Sequence, residues 1–183
     1  MSMTKRILIV DNHSKHTAKI THLFSGNDIS LCDGDNFKPE EAELFDLIVF
    51  SGGSHVCAAD RTKKAYELEI DFIRKAKKPV VGICLGCQLI AKAFGGKLAK
   101  LQEKRYGIYE ITMNGKQFNV FESHGYTIDK LSNELDLIAK SDTGPEIIKH
   151  KTKPIYGFQF HPEVFPRKTA GKKLLISVVK TIL

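Results

Sequence analysis

No run of about 18 apolar residues occurs in this 183-residue chain, which excludes a helix long and greasy enough to cross a bilayer. The N-terminal apolar stretch runs only from Ile7 to Val10 and stops at Asp11. That is too short for a secretory leader, and it reads as a first strand. Cysteine is scarce: Cys32, Cys57, Cys84 and Cys87 are all there is. Without a leader, they point to free thiols in a reducing, cytoplasmic setting rather than to a disulfide framework. Arg/Gly-aromatic boxes, zinc-finger spacings and tandem basic helices are also missing. The formal net charge of +7 therefore does not read as a nucleic-acid footprint. There is no repeat, low-complexity tract or linker, so residues 1–183 are expected to form a single domain, without membrane attachment.

The chain is 42% hydrophobic and 27% charged, ordinary for a globular protein. Short apolar runs alternate with amphipathic stretches. Strands are expected at RILIVD (6–11), DISLCD (28–33), LIVFSGG (47–53) and VVGIC (80–84). Between them, helical patterns run through Phe24, over PEEAELF (39–45), from Asp60 to Lys77, and over LGCQLIAKAFGG to the Gly95-Gly96 stop. This order implies an α/β fold: an open, mostly parallel central sheet with helices on both faces. Residues 98–122 and 137–160 carry strands with little helix between them, a small antiparallel section, and a basic amphipathic helix over 167–182 closes the chain. Positive charge gathers in two clusters. One is Lys92, Lys97, Lys100, Lys104 and Arg105; the other is Arg167, Lys168, Lys172, Lys173 and Lys180. They read as solvated faces, a docking face for an acidic partner, or a phosphate-binding patch.

The stretch GICLGCQ (82–88) carries the chemistry. Its C-x-x-C spacing admits a redox dithiol, since a helix N-terminus lowers a thiol pKa. But Gly82 and Gly86 bracket Cys84 as G-x-C-x-G between an apolar strand and a helix, the thiol counterpart of a nucleophile elbow. A tight, strained turn needs residues without side chains on either side; a dithiol pair does not. Cys87 is then packing. Zinc is disfavoured because no second C-x-x-C or histidine pair at ligand spacing follows, and no metal site is expected. A thiol nucleophile needs a base. Among seven histidines His161 stands out, because it ends the apolar strand YGFQF and precedes Pro162, which keeps it extended. In extended chain His161 and Glu163 face the same way, so the carboxylate can set the imidazole tautomer while the other ring nitrogen faces Cys84. The amide of Leu85, at the helix start, is one expected oxyanion donor, and the SGG turn at 51–53 is expected to supply the second.

Taken together, GICLGCQ, SGG at a strand end and FQFHPE near the C-terminus resemble class I (triad) glutamine amidotransferase domains, over nearly the whole chain. The branch most resembled is the glutaminase part of GMP synthetase in its separate-subunit form, through ILIVDN, GICLGCQLIAKAFGG, ESHG and PIYGFQFHPEV. The resemblance implies that Cys84 attacks the side-chain amide of L-glutamine, His161 protonates departing ammonia, and Glu163 orients His161. It matches Gly53 and Leu85 to oxyanion donors, and Gly52, Gln88, Ser123, His124 and Gly125 to positions that hold glutamine. It implies no cofactor in this chain, with ATP and Mg2+ used by an ATP-pyrophosphatase (GMP synthetase) subunit on a separate polypeptide. The chain indeed has no G-x-x-x-x-G-K-[ST]. It departs from the family pattern where Ser54-His55 follow the glycines, where the first loop reads Asp11-Asn12-His13-Ser14-Lys15, and where Tyr126 follows Ser-His-Gly. Other readings of the same residues are a glutaminase for anthranilate, aminodeoxychorismate or imidazole glycerol phosphate synthesis, a γ-glutamyl peptidase, or a non-catalytic thiol-sensing module.

Overall fold

A computed structural model describes residues 4–53 and 65–183. Ser54, His55, Cys57 and the start of the helix expected from Asp60 lie outside the described residues. In chain order the elements are β1 (Arg6–Asn12), α1 (Thr17–Leu23), β2 (Asp28–Asp33), α2 (Pro39–Ala42), β3 (Leu47–Gly53), α3 (Ala65–Lys75), β4 (Val80–Ile83) and α4 (Leu85–Ala93). They continue with β5 (Lys97–Met113), β6 (Lys116–Lys130), β7 (Leu135–Lys140), β8 (Pro145–His150), β9 (Ile155–Phe158) and α5 (Gly171–Ile182). The described strands build one sheet in the order β2-β1-β3-β4-β9-β8-β7-β5-β6. Pairings from β2 to β9 are parallel; those from β9 to β6 are antiparallel.

Period-2 alternation in the parallel strands sorts their side chains onto two faces. Leu8, Val10, Ile48, Phe50 and Val80 join Phe72 and Ile73 of α3 and Leu89 and Ile90 of α4. Ile7, Ile9, Leu47, Val49, Val81 and Ile83 join Ile20 and Leu23 of α1 and Leu174, Leu175 and Val179 of α5. Helices therefore cover both faces. Each such side chain contributes roughly 1.5–3 kcal/mol on full burial, and a one-residue slip would exchange the two rows and unseat both helix layers. The α2 helix stops at Ala42, short of the expected Phe45, leaving Leu44 exposed. The chain turns there because Asp46 is recruited to β1: its amide donates to the Arg6 carbonyl at 2.8 Å and its carboxylate accepts from the Arg6 amide at 2.9 Å.

The antiparallel section includes the two longest strands. β5 and β6 form a hairpin closed by Asn114-Gly115, both at positive φ (51° and 73°), as a two-residue hairpin turn demands. Its pairing jumps from Lys100↔Tyr126 to Arg105↔His124, so residues 101–104 bulge opposite Gly125. The far edge of the sheet is tied back to its centre: the His161 amide donates to the Phe121 carbonyl at 2.8 Å, and the Ala170 amide to the Asn119 carbonyl at 2.8 Å. Those bonds bring β6 over the C-terminal ends of β3, β4 and β9. Among the described residues no helix is long and apolar enough to cross a membrane.

Candidate active site

The sheet runs outward from β1 in both directions, to β2 on one side and β3 on the other, and crevices form beyond the carboxyl ends of strands at such a reversal. A cleft of about 310 Å³ opens there, at the small end of the range for small-molecule sites. At its floor β4 passes into α4 through Cys84, whose backbone has φ 51° and ψ −101°. A non-glycine residue there stores roughly 1–3 kcal/mol of strain. The neighbours over-determine it: the Cys84 amide donates to the Phe158 carbonyl at 2.7 Å, and the Cys84 carbonyl accepts from the Gln88 amide at 3.1 Å. A Cβ at Gly82 would overlap the Gly86 backbone, and one at Gly86 would overlap the Phe50 carbonyl. The glycine bracket is thus a steric requirement of the turn.

His161 sits three residues past the end of β9, buried, with Nδ1 at 2.7 Å from Glu163 Oε1. Glu163 is also buried. Burial alone would lower the imidazole pKa. The negative sulfur of Cys84, a hydrogen bond to Cys84, and the hydrogen bond and charge of Glu163 outweigh it, and His161 is pushed up to about 10. The arrangement favours an imidazolium at His161. Burial pushes the Cys87 thiol well up, and its sulfur packs against Gly157, where an added Cβ would lie only 2.6 Å away. Cys84 and Cys87 are both free thiols. This geometry disfavours the dithiol alternative, because one sulfur faces the cleft and the other the core.

Gly53, Leu85, Gln88, Ser123, His124 and Gly125 all line the cleft with Cys84 and His161. Gly52 abuts them from behind: a Cβ there would lie 3.2 Å from His161 Cε1 and 3.6 Å from Cys84 Cβ. Leu85 is the first residue of α4, where backbone N–H groups are unsatisfied within the helix. Gln88 is buried, with its amide nitrogen donating to the Tyr126 carbonyl at 3.1 Å and to Gln159 Oε1 at 3.2 Å. The Ser123 carbonyl lies 3.9 Å from Cys84 Sγ.

Other lining residues carry no local sequence signal for a role in the cleft. Ser14, Lys15 and His16 come from the loop after β1, Lys104 from the β5 bulge and Tyr126 from β6. The loop is shaped by Asp11, whose Oδ1 accepts from the Ser14 amide at 2.9 Å and the Thr17 hydroxyl at 2.7 Å. It sets the His16 ring edge-on to His161, centroids 5.5 Å apart. Burial, then the charge of His161, lowers the His16 pKa. Gln159 is also new to the site, its amide nitrogen 3.8 Å from Cys84 Sγ; the readable hint is a polar residue fully buried between Phe158 and Phe160. Within the first basic cluster, two neighbouring residues take different places. Lys104 lines the cleft, while Arg105 is buried against Glu122 and stacks 3.8 Å above the Tyr109 ring.

Known proteins carry the same architecture. Residues 8–180 match the family model of glutamine amidotransferase class-I. The A-type chain of glutamine-hydrolyzing GMP synthase from Methanocaldococcus jannaschii is 34% identical over 172 residues, covering 86% of this chain and 88% of that protein. Its counterpart in Methanothermobacter thermautotrophicus is 31% identical over 168 residues, covering 86% and 88%. Among solved structures, a candidate A-type GMP synthase chain from Thermoplasma acidophilum superposes with a TM-score of 0.86 at 27% identity, covering 98% of this chain and 94% of that one. A thiol on a strained strand-to-helix turn, an imidazole–carboxylate pair beside it, and a family match over nearly the whole sequence lead to one statement: the chain belongs to the class-I glutamine amidotransferase family.

Proposed function

We propose that this chain is the glutaminase subunit of a two-chain GMP synthase. Cys84 Sγ, as thiolate, attacks the side-chain amide carbon of L-glutamine, and the tetrahedral oxyanion is held by the amides of Gly53 and Leu85. The C–N bond then breaks as His161 gives its proton to the leaving nitrogen, releasing ammonia and a γ-glutamyl thioester. His161, now neutral, takes a proton from water; the hydroxide adds to the thioester, and the C–S bond breaks to return glutamate and the Cys84 thiolate. Glu163 keeps the imidazole in the tautomer this needs. Gly52, Gln88 and the Ser123-His124-Gly125 backbone hold the amino-acid end of the substrate. The observation that carries this reading is the buried His161, bonded to Glu163 at 2.7 Å and pushed up to about 10 by the neighbouring Cys84 and Glu163.

Ammonia is consumed on a separate ATP-pyrophosphatase subunit that holds ATP and Mg2+ and converts XMP to GMP in the cytoplasm. The relatives named as chains of GMP synthase support that acceptor. We place the partner beside the cleft, over two exposed aromatics that pack toward the base. Tyr106 (72% exposed) and Phe165 (48% exposed) both pack edge-on to Phe121, which in turn abuts His161. Arg167 and Lys168 are exposed beside Phe165 and suit an acidic rim on the partner.

Glutamate and ammonia release from L-glutamine is to be measured for the chain alone and with candidate ATP-pyrophosphatase subunits. Stimulation by the GMP-forming subunit, and loss of turnover in Cys84→Ala, is the expected result. Stimulation by a different synthetase would reassign the acceptor. Glutaminase activity that survives Cys84→Ala would overturn the mechanism.

A further inference from the structure

Beneath the cleft wall lies a second polar cluster that the glutaminase reading does not use. Glu122 and His124 alternate with Ser123 along β6. While the Ser123 carbonyl approaches the Cys84 sulfur, the side chains of its two neighbours meet Glu146 of β8. Glu122 and Glu146 are 0% exposed and His124 4%. Their potential ligand atoms lie within 4.8 Å of one another.

Hydrogen-bond accounting leaves a gap between them. His124 Nδ1 lies 2.9 Å from the Tyr126 carbonyl, which can only accept, so Nδ1 carries the proton. In the neutral ring Nε2 is then a bare lone pair, yet it faces Glu122 Oε2 at 3.1 Å, another acceptor. The remaining oxygens, Glu122 Oε1 and Glu146 Oε2, are buried without a hydrogen-bond partner. Charge is unbalanced too. Among the described residues Arg105 is the guanidinium facing Glu122 and Asp142, and its Nε pairs with Glu122 at 2.5 Å without hydrogen-bond alignment. Asp142 is exposed, so two buried carboxylates, Glu122 and Glu146, share this one guanidinium. Converging lone pairs and orphaned, buried carboxylate oxygens call for a positive charge in the gap.

We propose that Glu122, His124 and Glu146 form a binding site for one divalent transition-metal cation of the zinc or manganese type. One imidazole with two carboxylates is a donor set these ions accept. The 3.1 Å separation of His124 Nε2 and Glu122 Oε2 is close to the ~3.3 Å edge of a tetrahedron with bonds of ~2.0–2.1 Å. The surroundings already support such ligands. The Tyr126 carbonyl fixes the His124 tautomer, the Ser141 hydroxyl donates to Glu146 Oε1 at 2.8 Å, and Arg105 offsets charge on Glu122. Bound there, the ion ties β6 to β8 and so holds the strand whose Ser123–Gly125 backbone lines the glutamine cleft. Its role is structural and does not depend on the acceptor of ammonia. No C-x-x-C or histidine spacing announces it, because its ligands come from two strands that only the sheet brings together.

The full-length chain, stripped with chelator, is to be titrated with Zn2+, Mn2+ and Co2+, following bound metal, the Co2+ visible spectrum and thermal unfolding. One equivalent of tightly bound ion is expected, with a Co2+ spectrum showing nitrogen–oxygen ligation. A hundredfold excess of free ion over Kd corresponds to about 2.7 kcal/mol, or a rise in Tm of about 5–11 °C for a chain this size. Glu146→Gln should weaken binding by more than about tenfold. Asp35→Asn, which alters a separate exposed cluster with His13 and Asp33, should leave the tight site intact. Absence of a stoichiometric ion and of any Tm shift in the native-sequence protein would overturn the proposal. So would Glu146→Gln binding metal as well as before, or a gain in stability in Glu146→Gln that metal does not alter, since a shared proton would then explain the cluster.

Discussion

Replacing Glu163 by glutamine keeps the shape of the side chain and removes one charge from the base. In the native protein His161 is pushed from 6.5 to about 10. At ~1.36 kcal/mol per pH unit that is on the order of 5 kcal/mol in favour of the imidazolium. Burial opposes this figure, and the two interactions with Cys84 exceed those with Glu163. Glu163 therefore supplies the smaller part of the favourable interactions. Glu163→Gln should bring the His161 titration, followed by NMR, down from about 10 toward the ordinary 6.5. Turnover of glutamine should fall more steeply, by over ~100-fold, because glutamine can also present N–H to Nδ1 and stabilise the wrong tautomer. Stability reports the same charge with a definite sign. A histidine whose pKa is raised on folding adds stability that is fully present below ~6.5 and is lost as pH rises toward 10. The native Tm should thus decline across that interval, and the variant's decline should be shallower. A His161 titration still near 10 together with turnover within a few-fold of native would refute the role given to this carboxylate.

Gly86→Ala drives a Cβ into the Phe50 carbonyl at the junction of β3 and α4; a loss of about 3 kcal/mol is expected, lowering Tm by ~6–12 °C in calorimetry. A variant as stable as the native chain would show that the elbow can relax. Cys87→Ser places a hydroxyl where a fully buried thiol packs against Gly157. It should cost roughly 1–3 kcal/mol of stability while leaving most glutaminase turnover, whereas equal loss of turnover in Cys84 and Cys87 variants would favour a dithiol mechanism. His16, faced by His161, Glu163, Lys15 and Lys19, has its pKa lowered by burial and by His161. Protonating it as pH falls below ~6.5 costs stability, because the unfolded chain binds that proton more readily, and it sets a second cation against the imidazolium. His16→Asn should extend the acidic limb of the kcat/KM profile to lower pH; an unchanged limb would remove His16 from the titrating set.

Much of the fold and part of the site were legible in residue order because the rules involved are local. The short unbroken apolar runs ILIV and LIVF, the glycines at 82 and 86, and the extended His161-Pro162-Glu163 each constrain the chain within a few residues. The strand limits at Asp28–Asp33 and Leu47–Gly53 agree with the reading from sequence. The shortening of α2 was not legible, since it depends on Asp46 meeting Arg6, 40 residues away.

The linear order of residues determined which sulfur could sit on a strained turn, because backbone sterics at a tight bend depend on the side chains immediately beside it. It also determined a parallel α/β core, through the period of its apolar positions. Tertiary structure alone decided what surrounds that sulfur. The loop after β1 sets His16 against His161, the bulge in β5 delivers Lys104, and Gln159 bridges Gln88 and Cys84 across more than 70 residues of sequence. It also buried Arg105 with Glu122 and gathered Glu122, His124 and Glu146 into one gap. Hydrogen bonds and charges act over a few ångströms of space, and only the order of strands in the sheet and the return of its long hairpin decide which distant residues come within that reach.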